Sequence, residues 1–253
     1  MDKLVYATCF RDYNIDVKRG PKPKGQVLIR WSREFAYAIG LLTSDGCLSK
    51  NGRHINLTSK DLEQLKTFKK CLCLNVKIGI KYSGNGSGRP YYQVQFGDVL
   101  FYKFLNSIGL FSAKSKTISS VLVPDEYFAD FLRGYFDGDG SSYSYYDSLF
   151  PKSYRFYISF MSASPPFVRW LQTRISKMIP VKGHFSGYTD SNYLQLKYAK
   201  TEAIIVSRYM YYGTRIPFLK RKYLKIQRTM RIIGSRCGGG SAPKISHWHF
   251  DAS

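Results

Sequence analysis

Two Asp-Gly pairs, Asp45-Gly46 and Asp139-Gly140, are the residues of this 253-residue sequence whose type and spacing could do chemistry. Each closes a helix-forming stretch, running from Phe35 to Ser44 in one case and from Phe128 to Gly138 in the other. A glycine stands five residues before each Asp (Gly40, Gly134), and a very small residue stands one before it (Ser44, Gly138). Residues four apart share a helical face. Gly40 with Ser44, and Gly134 with Gly138, therefore make two nearly bare strips through which helix backbones can approach closely. Pairing the helices on these strips brings Asp45 and Asp139 together at their tips. Gly46 and Gly140 suit the left-handed residue that commonly follows a helix end.

Acids are costly there. A helix C-terminus carries partial negative charge, and two adjacent carboxylates repel until one takes a proton or a cation intervenes. Hard divalent ions, which prefer oxygen ligands, answer that need. A single Asp-Gly is an ordinary turn signal. Two copies with matched upstream glycines point instead to a shared acid site.

The elements that position these acids repeat. After Gly46, Cys47–Ser49 and Arg53–Thr58 read as strands around Lys50-Asn51-Gly52, with Asn-Gly as the hairpin signal. Ser59-Lys60-Asp61 opens a helix to about Leu72, with Leu62, Leu65, Phe68 and Leu72 at helical spacing. Val76–Tyr82 and Pro90–Phe96 form a second hairpin, and Val99–Ile108 a further helix. After Gly140 the order recurs: strands Ser141–Tyr146 and Tyr154–Phe160, a helix from Ser164 to Ile179, strands Val181–Ser186 and Tyr193–Tyr198, and a helix Thr201–Tyr211. The acids are 94 residues apart, but Ile55 and its counterpart Ile158 are 103 apart, so the second copy has the longer first hairpin. The fold class is α+β, built from duplicated αββαββα units with the two motif helices at their interface. The boundaries are a basic arm at 1–30, units at 31–120 and 121–235, and a tail at 236–253.

Lys and Arg total 39 against 17 Asp and Glu, a net charge of +22 that favours a polyanion, most simply nucleic acid. The basic residues are spread over strand-like segments, unlike a membrane-surface helix. No apolar run approaches the roughly 18 residues of a membrane span. With no signal-peptide block at its N-terminus and five cysteines without CxxC pairs, the chain is expected in a reducing intracellular compartment, a bacterial cytoplasm or an organelle, and not secreted. Cys71 and Cys73 read as packing residues, and His247 and His249 as part of a flexible tail after Gly238-Gly239-Gly240. Candidate nucleic-acid contacts on the first unit are Arg53, Lys77, Lys81, Tyr82, Arg89, Tyr91 and Gln93. On the second they are Tyr143, Tyr145, Arg155, Lys182, His184, Gln195 and Lys197. Strand alternation puts half of them on one face, where Arg and Lys can read guanine and Gln can read adenine. A solvated polar face is the plainer alternative, as is a structural RNA-binding protein of similar charge.

The two stretches Ala38–Gly46 and Leu132–Gly140 resemble the nine-residue motif of the LAGLIDADG homing endonucleases. The second is closer to the family, with Leu132, Gly134, Asp137, Asp139 and Gly140 in place; the first carries Thr43 where the sixth position is usually acidic. The resemblance covers about residues 31–230. It implies a pseudo-two-fold saddle of antiparallel sheets lying on double-stranded DNA. It implies metal binding by the eighth-position acids, Asp45 and Asp139, helped by the backbone carbonyls of Ser44 and Gly138. The cofactor so implied is Mg2+, with Mn2+ able to substitute and Ca2+ binding without supporting cleavage. The family's basic residue per unit falls, by the repeat, on Lys116 and Lys222, with Lys114 and Lys220 as neighbours. Ser59 and Ser162 hold positions where relatives organise water. The implied activity is site-specific double-strand cleavage by a monomer at a long asymmetric target leaving 3′ overhangs, from a mobile intron. A non-cleaving maturase on intron RNA, or a DNA-binding regulator, is the alternative on the same scaffold.

Overall fold

The computed structural model describes residues 25–82, 90–187, 193–213 and 215–236. The Lys18–Lys24 stretch, the 83–88 turn, Arg89, His247 and His249 lie outside the described residues. In chain order the elements are α1 (Arg33–Ser44), β1 (Gly46–Leu48), β2 (His54–Ser59), α2 (Leu62–Cys71), β3 (Gly79–Tyr82), β4 (Pro90–Gly97) and α3 (Val99–Ser107). The second series is α4 (Phe128–Asp139), β5 (Ser141–Tyr146), β6 (Tyr154–Ser162), α5 (Pro165–Met178), β7 (His184–Ser186), β8 (Leu194–Ala199) and α6 (Thr201–Met210). A last helix, α7 (Lys220–Arg236), follows it. Short 3-10 turns occupy Lys114–Lys116 and Asp125–Tyr127.

Among the described residues the strands form two four-stranded antiparallel sheets, ordered β1-β2-β4-β3 and β5-β6-β8-β7. The identical order is the duplication read from the sequence. In the first sheet Gly46 faces Leu57, and in the second Ser141 faces Ser159, so Leu57 and Phe160 hold equivalent places. One face of each sheet is apolar. Leu48, Ile55, Leu57, Val94 and Phe96 bury it in the first, and Phe156, Ile158, Phe160, Leu196 and Tyr198 in the second.

Local chemistry starts the helices where the sequence reading put them. The Ser32 hydroxyl accepts from Phe35 N at 3.1 Å at the head of α1, and Asp61 and Asp98 do the same for α2 and α3. The buried residues of both units join one hydrophobic core with α1 and α4 at its middle. A Cβ on Gly40 would stand 2.6 Å from Tyr135 N, and one on Gly134 would stand 2.9 Å from the Tyr37 carbonyl carbon. The bare strips are thus the contact surface.

The glycines after the acids are needed for a different reason from the one the sequence suggested. Gly140 is extended (φ −82°, ψ 159°), and neither it nor Gly46 has positive φ. Each abuts the preceding helical turn instead: a Cβ on Gly46 would lie 2.6 Å from Leu42 Cα, and one on Gly140 2.7 Å from Phe136 Cα. Cys73 is also corrected, since it is exposed at φ 51° and does not pack in the core. The helix α7 was not expected at all. Its register and packing bear directly on the site.

Candidate active site and nucleic-acid interface

Asp45 follows the last residue of α1, and Asp139 ends α4. The close pairing of the helices sets the two acids side by side. A Cβ on Gly138 would come within 3.0 Å of Asp45 Oδ2. Asp139 is exposed and Asp45 partly so. Crowding by protein on their inner side pushes both carboxyls up. For Asp139 the Asp45 charge adds to this and carries the group to about 6. For Asp45 a hydrogen bond from Gln64 and the Lys222 and Lys114 charges oppose the rise.

The cations are held by carbonyls. Lys222 is buried, and its ammonium donates to the carbonyls of Phe136 (2.6 Å), Gly138 (3.0 Å) and Gly140 (2.7 Å). It caps the carboxyl end of α4, as a cation there should. Burial lowers Lys222 to about 8. In the first unit the buried lysine is Lys114, whose ammonium donates to the Gly46 carbonyl. Lys116, chosen from the repeat, is exposed two residues further on. The register was therefore displaced by two: Lys114 and Lys222 are the matching pair. Lys220 is exposed, with its backbone N–H directed at Glu63.

These lysines make a stability prediction. Lys222→Met would leave three carbonyls without their cation, a cost of about 1–3 kcal/mol. Lys116→Met should stay within about 0.5 kcal/mol of the parent, as exposed substitutions do. Thermal melting of both variants checks the register, and an equal loss for the two would refute it.

Further residues at the site were missed by the sequence reading. Gln64, buried on α2, donates to Asp45 Oδ2 at 3.0 Å and accepts from Ser59 Oγ at 2.6 Å. Ser59 therefore reaches the acid only through Gln64. The residue five after Ser162 is Phe167, which packs on the Tyr135 ring with 5.1 Å between centroids, so the second unit has no such amide. Ser162 instead accepts from Ser164 N at 3.1 Å. The sixth motif positions also differ. Thr43 bonds back to Ile39 O within its own helix. Asp137, fully enclosed, accepts from the Tyr37 hydroxyl and from Leu219 N, each at 2.7 Å. It ties the first unit's motif helix to the start of α7, and burial raises its carboxyl to about 6. Buried Arg133 adds bonds to Asp130 and to the carbonyls of Met210 (2.7 Å) and Pro217 (2.6 Å), holding the α6–α7 connection against α4.

The open sheet faces flank the acids. Pairing fixes which side chains share them. Thr58 faces Gln93, Asn56 faces Gln95, and Lys81 faces Tyr91. On the second sheet Tyr143 faces Tyr157, Tyr145 faces Arg155, Ser159 faces Lys197, and His184 faces Lys197 on its other side. The expected residues Lys81, Tyr91, Gln93, Tyr143, Tyr145, Arg155, His184, Gln195 and Lys197 thus fall on the polar faces. Others do not. Tyr82 pairs with Pro90, one step out of phase with Lys81, and lies on the opposite face. Arg53, Lys77 and Lys182 are exposed just outside strands β2, β3 and β7. Tyr157 was not singled out, yet it stacks on Tyr143 at 4.8 Å and on Tyr145 at 6.2 Å.

The donor set at the acids is carboxylate and carbonyl oxygen, the chemistry of a hard divalent ion. Asp139 is exposed and Asp45 partly so; crowding by protein destabilises both as anions, and the Asp45 charge adds to this for Asp139. The residues fit such an ion. No cluster of three or more His, Cys, Asp or Glu occurs among the described residues, so metal binding would rest on the two acids and nearby carbonyls. Among the described residues, no helix is long and apolar enough to cross a membrane.

A family model described as a LAGLIDADG-like domain matches residues 32–109. Among curated proteins, the DNA-directed RNA polymerase subunit Rpo1C of Methanocaldococcus jannaschii is 28% identical over 133 residues, 51% of this chain and 15% of that protein. Among solved structures, full-length DUF199/WhiA from Thermatoga maritima superposes with a TM-score of 0.53 at 13% identity, over 85% of this chain and 65% of that one. The I-LtrWI LAGLIDADG homing endonuclease bound to target DNA gives 0.54 at 12%, over 80% and 90%. I-SmaMI, bound to uncleaved DNA target in the presence of calcium ions, gives 0.53 at 12%, over 83% and 95%. At these identities the structural likeness speaks for the fold. The chain spans less than two thirds of WhiA and a small part of Rpo1C. Residues 32–109 thus match a LAGLIDADG-like domain, and the motif pair and twin sheets give the described chain the LAGLIDADG fold.

Proposed function

We propose that this protein is a site-specific double-strand DNA endonuclease of the intron-homing kind, working with Mg2+ in a reducing intracellular compartment. One observation carries the reading: Asp45, partly exposed, and Asp139, exposed, stand together at the tips of two paired helices, each followed directly by a sheet with one polar face. Asp45 and Asp139, with the carbonyls of Ser44 and Gly138, are the oxygens that would hold the ion. When bound, it supplies Lewis-acid stabilisation of charge developing on a phosphate. The rest falls to the chain. The sheet faces bind and orient the duplex by base edges and phosphates. Gln64 fixes one oxygen of Asp45. Lys114 and Lys222 hold the carboxyl ends of the motif helices and offset the negative charge gathered there.

A second reading, DNA or intron-RNA binding without cleavage, has one observation in its favour. The Gly138 carbonyl already accepts from Lys222, so an ammonium competes for a proposed metal donor. Binding-site selection from random duplexes, followed by cleavage of the selected DNA in Mg2+, Mn2+ or Ca2+, separates the two. Cutting in Mg2+ with 3′ overhangs, and none in Ca2+, is expected. Tight specific binding with no cutting in Mg2+ or Mn2+ would establish the second reading.

The target should be asymmetric and bound by one protein. Both units lie in one chain, and equivalent sheet positions carry different side chains: Asn56 corresponds to Ser159 and Thr58 to Met161. The first sheet offers amides, the second a tyrosine ladder with Arg155 paired to Asp147 at 2.7 Å. Different groups at equivalent places contact different base edges. Light scattering of the complex should give one protein per duplex, and palindromes of either half-site should be cut less well than the selected site. Equal cutting of all three would overturn this.

A further inference from the structure

The helix α7 carries a charge pattern that helix stability alone would not produce. Its sequence, from Lys220 to Arg236, contains no Asp or Glu. Its first turn holds Lys220, Arg221 and Lys222, at the end where the helix dipole favours anions. Further along, Arg221, Lys225, Arg228 and Arg231 follow at spacings of three and four, and like charges so placed repel. At 100° per residue these four fall within about 120° of the helix circumference. All four are exposed. Arg221 is engaged by Asp61 at 2.8 Å. Among the described residues Lys225, Arg228 and Arg231 make no ion pair.

The placement of α7 leaves the stripe on its solvent side. Lys222 is fixed to the Gly140 carbonyl, immediately before β5. Thr229, two turns on, bonds Ser144 within β5 at 3.0 Å. So α7 runs alongside β5, an edge strand of the second sheet, outward from the acid pair towards the β5–β6 hairpin, and it meets β5 at Ser144, which pairs with buried Phe156 on the face opposite Tyr143 and Tyr145. Four cations then line about 15 Å of the solvent side of this helix, apart from the polar sheet face. Duplex DNA presents a negative charge every ~1.7 Å of its axis, so a strip of this length meets several phosphates. The first unit lacks a matching rail: after Lys114–Lys116 the chain passes through residues 117–124 into the second unit.

We infer that the exposed basic stripe of α7 is a second DNA-binding surface of this chain, separate from the sheet faces, gripping the phosphate backbone of a duplex segment that the sheets do not hold. The inference rests on the proposed DNA-binding reading and adds an anchor to only one unit. Since binding to phosphates is independent of sequence, it can be tested without the target. The probe is a mixed-sequence duplex of about 30 base pairs, with binding measured across a salt series. The variant is Lys225→Gln/Arg228→Gln/Arg231→Gln. Its slope of log K against log salt should be shallower by about 2–3, since each phosphate that is no longer neutralised removes about 0.9. Its affinity should be at least tenfold weaker at low salt. Its melting midpoint should not fall, because like-charge repulsion has been removed. If the triple variant folds poorly, each single change should still take about 0.9 from the slope. An unchanged slope overturns the inference. So does a weakening confined to a hairpin RNA of the same length, which would make the stripe an RNA surface. Lys197→Gln on the sheet face distinguishes failure of the stripe from failure of the DNA reading. Duplex binding weakened by Lys197→Gln but not by the α7 variants refutes the stripe alone, whereas a parent protein that binds no duplex refutes the DNA reading too.

Discussion

Asp45→Asn and Asp139→Asn are each expected to abolish double-strand cleavage, by at least about a thousandfold, while leaving DNA affinity intact or slightly improved. Electrostatic stabilisation of a developing charge is commonly a catalytic site's largest single contribution, on the order of 10²–10³ per donor. Here each acid is one of two that would hold the ion. Affinity comes from elsewhere, from the sheet faces and their grip on phosphates, and removing an anion beside phosphates cannot weaken it. The two variants share a further signature. Burial makes both carboxylates unfavourable, with repulsion from Asp45 added at Asp139, so the neutral amides should melt at or above the parent's temperature. Mg2+ or Ca2+ should raise the parent's midpoint by mass action and leave both variants nearly unmoved. Substantial cleavage by either variant in Mg2+ would end the nuclease assignment at these residues. Loss of both binding and folding would instead make the acids structural.

How much of this was legible beforehand depended on whether the signal was periodic. The eight strands and the paired helices announced themselves through alternation, turn residues and the repeated glycines, and their bounds moved by only a few residues. Two strands shortened: β3 begins at Gly79 and β7 at His184, because the residues before them find no partner strand. The helix α7 was hidden by its own charge. Tyr223, Ile226, Met230 and Ile233 have helical spacing, and Ile226 is buried. Yet Lys220-Arg221-Lys222 is a run of three cations, the opposite of an acidic helix start. The lysine register failed for the same reason. With α7 unrecognised, Lys116 and Lys222 aligned by their place in two basic clusters, whereas the fold matches lysines by the carbonyls they reach. Gln64 was passed over as one polar residue on an amphipathic helix; only tertiary packing turns it towards Asp45. Gly46 and Gly140 suit a left-handed residue after a helix end in the sequence, but what the fold requires of them is a close approach to the preceding turn and not a left-handed backbone.

Gly134→Ala should prevent stable folding, and Gly134→Leu should do no better. Overpacking a core costs about 1–3 kcal/mol when side chains can shift to make room. Here they cannot, because the obstacle is the Tyr37 peptide group in the partner helix, with its carbonyl carbon 2.9 Å and its Cα 3.1 Å from the added methyl. That backbone is held on both sides, since Phe35 to Leu42 of α1 are buried throughout. Separating the helices would also open the centre of the single core they share. The expected loss exceeds about 3 kcal/mol, a large part of the 5–15 kcal/mol typical of a domain. Gly138→Ala offers the informative contrast. Its added methyl meets a side chain, with Ser44 Cβ 2.5 Å away. The double variant Ser44→Gly/Gly138→Ala should therefore recover much of the lost stability, while Ser44→Gly should do nothing for Gly134→Ala. Gly79→Ala, whose methyl would find only Gln93 O at 3.8 Å, should be nearly neutral. Soluble yield and thermal melting of these variants decide it. A Gly134→Ala protein that melts within a few degrees of the parent would mean that the motif helices do not touch through this strip, and that the acids at their tips are not held together by it.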